Sequence, residues 1–213
     1  MELAVAYNWL GLTYYILNDL DHAELYDQRA LKAYRELGDK KREAAALNNL
    51  AMVANTRGDQ ERALQLYRES LIMQPETEQA TTLNNIALIH NQRKEYKQAI
   101  KLLRQTIAIE HRNSDAHATA QQQINLGGIL LCDKQYTAAE KELLAGLNAI
   151  HLVGDKRWEA HAYANLGSLA IAEGNPKKNV SEARQWFEKA EALYREIGDT
   201  AKADEIANLL AGK

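Results

Sequence analysis

The sequence predicts an all-α protein made of repeated helical hairpins, and three observations support that prediction. Ala, Leu, Glu, Gln and Lys are abundant, while only two prolines, Pro75 and Pro176, interrupt the chain, and this composition favours helix. A short motif, usually Asn-Leu followed by a small residue, recurs at nearly constant intervals. Gly-Asp pairs stand between the apolar stretches, where one helix would end and the next begin.

The recurring motif gives the length of the repeat. Its five copies are Trp9-Leu10-Gly11, Asn49-Leu50-Ala51, Asn85-Ile86-Ala87, Asn125-Leu126-Gly127 and Asn165-Leu166-Gly167. The successive offsets are 40, 36, 40 and 40 residues, and self-similarity at such a period is typical of solenoid proteins. A weaker copy at 208–210 indicates a final helix that caps the array.

Two further small residues follow each motif at fixed distances. Twelve positions after the motif come Ala23, Ala63, Ala99 and Ala139, with Ala183 four residues late because of an insertion around Pro176. Seven positions beyond these stand Ala30, Ser70, Thr106, Gly146 and Ala190. Small side chains allow two helices to approach closely, so the spacing predicts a tight contact between the two helices of each hairpin.

The turns set the expected helix boundaries. Gly-Asp pairs at 38–39, 58–59, 154–155 and 198–199, with Asn18-Asp19 and Gly174-Asn175, provide a left-handed residue followed by a helix cap. The first helices of the hairpins, called A helices here, are expected near 3–17, 40–57, 76–92, 115–132 and 156–173. The second, or B, helices are expected near 20–37, 60–73, 95–111, 135–152 and 180–197. This predicts one array over 1–213, with repeats at about 3–38, 39–75, 76–114, 115–155 and 156–199 and a capping helix at 200–210.

This pattern resembles the tetratricopeptide repeat family across essentially the whole chain. The three small residues of each repeat correspond to the positions where that family carries small side chains. The period exceeds the usual 34 residues, which resembles the longer-helix subclass of kinesin light chains, G-protein-signalling modulators and bacterial peptide-sensing regulators. The resemblance implies a right-handed α-solenoid of five hairpins whose A helices line a concave binding side.

The resemblance also assigns six positions of every A helix to that side, and none of these thirty residues is charged, although 26% of the chain is. The candidate peptide-binding residues among them are Asn48, Asn49, Asn84, Asn85, Gln121, Asn125, His161 and Asn165, with Trp9 and Tyr15 at the N-terminal end. The absence of Lys and Arg there predicts that no carboxylate clamp is present.

Asparagine is a poor helix former, so its repetition in register needs a reason. One interpretation is a ladder of amides that bonds the main chain of an extended peptide, because an amide offers both donors and an acceptor. The alternative is that each amide bonds a neighbouring helix and orders the stack. Trp9 replaces asparagine in the first repeat. It either anchors a side chain of the ligand or packs against chain that precedes Met1 or against a second copy of the protein.

Other functional classes find little support in the sequence. A net charge of −3 and a pI near 6.1 argue against nucleic-acid binding. A possible metal-binding cluster, His111, Asp115 and His117, is divided by a turn, so no metal site is expected. Cys132 has no histidine at the spacing of a catalytic motif, so neither a catalytic centre nor a cofactor is expected. A lone cysteine and the lack of a long apolar run favour a cytoplasmic protein that binds no membrane.

The favoured hypothesis is therefore a non-enzymatic scaffold or adaptor that binds a protein or an extended peptide. The alternative is a ligand- or peptide-sensing domain of a larger bacterial signalling or transcription regulator.

Overall fold

A computed structural model describes residues 1–211, so positions 212 and 213 of the predicted array lie outside the described residues. Within these residues the chain forms eleven α-helices, one 3₁₀ turn and no strand. The A helices are α1 (Glu2–Ile16), α3 (Lys40–Thr56), α5 (Ala80–Gln92), α7 (Ala116–Cys132) and α9 (Lys156–Ile171). The B helices are α2 (Leu20–Leu37), α4 (Gln60–Met73), α6 (Tyr96–Arg112), α8 (Tyr136–Val153) and α10 (Val180–Glu196), followed by α11 (Thr200–Leu210). The predicted all-α fold with a C-terminal capping helix is confirmed.

The start of α5 is the one helix boundary that differs clearly from the prediction. The helix begins at Ala80 rather than near 76, because Pro75 is extended and a 3₁₀ turn over Glu76–Glu78 follows it. The Gln79 side chain then donates hydrogen bonds to the carbonyl oxygens of Leu71 and Gln74, at 3.3 and 3.1 Å. These bonds add partners to carbonyls at the end of α4, where the helix no longer supplies a backbone N–H four residues on.

The Gly-Asp turns form as predicted. Gly38, Gly58, Gly154 and Gly198 take the left-handed conformation, and the aspartate after each accepts a hydrogen bond from a backbone N–H three residues on. The same conformation also occurs at Lys94, Ser114 and Lys134, with φ near 60°. Side chains other than glycine reach it at a cost of roughly 1–2 kcal/mol, and none of these three residue types favours it, so these turns were not predicted.

The chain divides into two compact units, 1–93 and 94 onward. In the first unit, α1 and α2 form a hairpin that packs on the hairpin of α3 and α4, and α5 packs against both α3 and α4. In the second unit, α6 packs on α7, the hairpins α7/α8 and α9/α10 stack, and α11 covers α10. The prediction of a single array with the five repeat boundaries given above stays a prediction.

The tight contacts within hairpins occur where the small residues predict them. A β-carbon added at Gly146 would lie 2.9 Å from the Ala120 carbonyl oxygen, and one at Gly127 would lie 2.5 Å from Cγ of Leu143. At Gly167 it would meet the Phe187 ring, and at Gly11 the Asp27 carboxylate. A B-helix side chain therefore packs directly against the small residue of these motifs, and in the first repeat that side chain is an acid.

Candidate functional site

In the first unit, the Asn48 side chain connects two A helices. Its Nδ2 atom donates to Oγ1 of Thr82 on α5 at 2.8 Å, and the Asn48 Oδ1 atom lies 3.1 Å from the same hydroxyl. Thr82 is fully buried and also lies 3.1 Å from Oε1 of Gln74. Because the hydroxyl carries one proton, it can donate to only one of these two oxygens. Asn48 thus helps to hold α3 against α5.

Asn49 and Asn85 bond polar side chains of the preceding hairpin. Asn49 Nδ2 lies 3.2 Å from Oδ1 of Asn8 and 3.4 Å from Oδ1 of Asp27, which joins α3 to α1 and α2. Asn85 bonds the buried Tyr67 phenol on α4; burial raises the pKa of that phenol, and this hydrogen bond opposes the rise. These are the bonds that the stacking alternative requires, so part of the amide capacity in the first unit is used within the protein.

Asn84 has a different environment. Its Oδ1 atom is buried and accepts no hydrogen bond from the described residues. A buried polar atom without a partner costs about 1–3 kcal/mol, so an acceptor left in this state needs an explanation.

In the second unit, the equivalent amides are almost unused. Asn165 is half-buried and makes no hydrogen bond to the part of the chain that the structure describes; its amide lies over the backbone of Gly128 on α7. Asn125 makes one long contact, with Nδ2 at 3.4 Å from Oε1 of Gln122 in its own helix. Both side chains therefore retain donors and acceptors on the A-helix side.

The difference between the two units has a simple origin on the B helices. Sixteen residues after the small residue of the preceding motif stand Asp27 and Tyr67, which bond Asn49 and Asn85. The corresponding residues before Asn125 and Asn165 are Leu103 and Leu143, which have no polar atom in their side chains. Identical asparagines thus differ because of a residue in another helix.

Two predicted residues of the second unit, Gln121 and His161, are half-buried beside other polar or charged side chains. Gln121 Nε2 is 3.3 Å from Nε2 of His117, and that ring nitrogen is also 2.9 Å from Oδ2 of Asp155. Burial lowers the pKa of His161, and the Lys202 ammonium on α11 lowers it further. The centroid of the His161 ring lies 5.3 Å from that of Trp158, and the two rings are tilted by 42°. The lowered pKa makes His161 a neutral hydrogen-bond donor or acceptor at neutral pH.

At the N-terminal end, Trp9 is 63% exposed. Tyr15 is half-buried, and its hydroxyl is 3.1 Å from Oγ1 of Thr56, with either atom as donor. Leu3, Ile16 and Leu17 are also well exposed on α1 and the turn after it. The self-association predicted for this surface stays a prediction.

Asp27 is a further functional candidate that the sequence analysis did not identify, because it lies on the B helix α2 and not on an A helix. The residue is 1% exposed, and its Oδ2 atom has no hydrogen-bond partner among residues 1–211. Burial raises the pKa of this carboxyl from 3.8 to about 7, and the Asn49 hydrogen bond opposes the rise only in part. Leu, Tyr or Phe occupies the equivalent B-helix position of the other repeats, and that contrast is the signal that would have identified it.

No group of three or more His, Cys, Asp or Glu side chains within the described range is placed to hold a metal ion. No helix in that same range is long and apolar enough to cross a bilayer. Cys132 is an exposed free thiol.

Comparison with known proteins identifies the repeat. A family model of the tetratricopeptide repeat matches residues 2–76 and 78–143. The chain belongs to the tetratricopeptide repeat family. A search of curated proteins finds no match for this member of the family.

Several solved structures share the tetratricopeptide fold of this chain. A putative kinesin light chain with nearly identical TPR-like repeats, from Podosopora anserina, is 14% identical with a TM-score of 0.71, covering 91% of this chain and 95% of that one. The apo form of RapI is 19% identical with a TM-score of 0.74, covering 100% of this chain and 83% of that one. A Rap protein complexed with Competence and Sporulation Factor is 14% identical with a TM-score of 0.70, and this chain spans 64% of its length. At these identities the likeness establishes the fold alone.

Proposed function

We propose that this protein is a non-enzymatic interaction module that holds an extended peptide of a partner protein on its A-helix side. The observation that carries the proposal is the unused amide of Asn165, together with the nearly unused amide of Asn125. Both are half-buried rather than fully solvated, and an amide in that state is a favourable partner for a peptide group. The fold shared with a Rap protein solved in complex with another factor is consistent with this role.

A peptide main chain matches these side chains chemically. Each peptide unit has one N–H donor and one C=O acceptor, and each asparagine amide offers both complements. The two asparagines occupy the same position in successive A helices, 40 residues apart in sequence. Hydrogen bonds to the peptide main chain depend little on the peptide sequence. Selectivity for particular peptides must therefore come from apolar and charged residues nearby.

Removal of these amides should weaken peptide binding without loss of stability. A 12-residue peptide selected from a random library on the wild-type chain serves as the probe. We expect Asn165→Ala and Asn125→Ala each to raise its Kd about fivefold, since one hydrogen bond is worth about 1 kcal/mol. Fluorescence anisotropy measures Kd. Thermal denaturation should show little change in stability, because neither amide makes a hydrogen bond to another helix in the described residues.

Asn148→Ala is the matched control, because Asn148 is an exposed asparagine on the B helix α8. It should leave Kd unchanged. A double variant of Asn125 and Asn165 that binds the selected peptide as tightly as wild type would refute the proposal.

A regulatory sensor is the second candidate function, and the fold shared with a Rap protein solved in complex with Competence and Sporulation Factor is consistent with it. In that case a bound peptide would change the relative stability of two arrangements of the helices and so control an attached domain. The two candidates share the binding side proposed here, and the single cysteine is compatible with the cytoplasm for both.

A further inference from the structure

Asp27 is an acid at a position that the fold fills with apolar or aromatic side chains. The equivalent residues Tyr67, Leu103, Leu143 and Phe187 are all buried, and none is charged. Asp27 is equally buried and packs against Gly11 as Leu143 packs against Gly127. The hairpin therefore does not need a carboxylate here, and a buried ionised group opposes folding.

The other buried acids of the described chain have partners that compensate their burial. Glu43 accepts from Arg35 at 2.9 Å and from Lys40 at 2.8 Å. Glu159 lies 2.9 Å from His151 Nδ1 and accepts from the Tyr163 hydroxyl at 2.9 Å. Asp27 has only the 3.4 Å contact from Asn49 to one oxygen, while Oδ2 is without a partner in the described residues.

A narrow pocket leads from the A-helix side to this carboxylate. It is lined by Leu12, Tyr15, Asp27, Asn49 and Met52 and is too narrow in this structure to admit a water molecule. The rim residues from α1 and α3 are partly exposed, and Asp27 is the one charged residue of the lining. Met52 is unbranched and flexible, so the pocket can widen to admit a side chain.

We propose that this pocket, named here the Asp27 pocket, binds the side chain of a lysine in the partner peptide and pairs its ammonium with the Asp27 carboxylate. The inference rests on the proposed function and assigns it a specificity. Once Met52 moves aside, the apolar side chains of Leu12, Tyr15 and Met52 would contact the four-carbon stem of lysine. Asp27 belongs to the same lining, and its Oδ2 atom accepts no hydrogen bond from residues 1–211. A compact ammonium suits one free oxygen better than a planar guanidinium, which bonds two acceptors in parallel.

Selection of 12-residue peptides from a random library tests the inference on the full chain. On the wild-type protein, lysine should be enriched at one position of the selected peptides. The same selection on Asp27→Leu and Asp27→Asn should lose that enrichment and still yield peptides. Glu36→Gln removes an exposed acid of the same helix and should keep the lysine preference.

A matched set of synthetic peptides provides a second measurement, and its wild-type comparisons need no protein variant. Acetylation of the enriched lysine should raise the Kd for the wild-type chain at least tenfold, and the Kd for Asp27→Leu less than twofold. Replacement of that lysine by arginine should raise the wild-type Kd by severalfold.

The outcomes separate the two proposals. Lysine enrichment that survives in Asp27→Leu, or selected peptides without any lysine preference, would overturn the Asp27 pocket and leave the interaction module intact. Failure of the wild-type chain to select any peptide would overturn both.

Discussion

Replacement of Asp27 by leucine is expected to raise the free energy of unfolding by about 4 kcal/mol at pH 8. This gain is the rise in the pKa of the buried carboxyl, from 3.8 to about 7, multiplied by about 1.4 kcal/mol for each pKa unit. Leucine fits the site because Leu143 occupies the same position against Gly127 in the fourth repeat. Urea unfolding followed by circular dichroism measures the change.

The pH dependence of this gain follows from the direction of the shift. The native carboxyl keeps its proton up to about pH 7, whereas the unfolded one loses it above about pH 4. The stability of the wild-type chain due to this group therefore falls as the pH rises from 4 to 7 and is constant above that range. The advantage of Asp27→Leu should shrink towards zero at pH 4.

Asp27→Asn provides the control for ionisation, because it keeps the polarity and removes the charge. Its stability relative to Asp27→Leu should not depend on pH. If the wild-type chain and Asp27→Leu differ by the same free energy at pH 4 and pH 8, the buried carboxylate is not a source of instability.

The reverse substitution, Leu143→Asp, should have the opposite and larger effect. It removes a fully buried leucine, which costs about 2–5 kcal/mol, and places a carboxylate against Gly127 where no partner is available in the described contacts. We expect a loss of about 5 kcal/mol at pH 8. The fluorescence of Trp158 and Trp186, both in the second unit, reports the unfolding transition in urea.

The neighbouring residue gives a matched control. Leu144 is 38% exposed on the same helix, so Leu144→Asp should cost about 1 kcal/mol or less. Equal losses for the two variants would mean that the position against the small residue has no special constraint, contrary to the repeat-based account.

The helices were predictable because their signals are local. Asp39 caps the helix that begins one residue later, and Gly38 ends the previous one, so a short stretch of sequence decides each boundary. The late start of α5 was not predictable in this way, since it depends on hydrogen bonds from Gln79 back to the end of α4. Lys134 was missed because its side chain does not favour the conformation that the turn imposes.

The candidate site was predictable only in part, because its hydrogen-bond partners lie far apart in sequence. The register of the asparagines identified a polar side of the A helices, and it treated Asn49 and Asn165 as equivalent. Their environments differ because Asp27 precedes one and Leu143 precedes the other on a B helix. A comparison of B-helix positions between repeats would have shown both this difference and the unusual acid.

Nuclear magnetic resonance of the asparagine side-chain amides tests the central claim most directly. During titration with a 12-residue peptide selected on the protein, the resonances of Asn125 and Asn165 should shift until saturation, while that of Asn148 on α8 should not. Saturation of the protein with peptide while the Asn125 and Asn165 resonances stay unchanged would contradict the account.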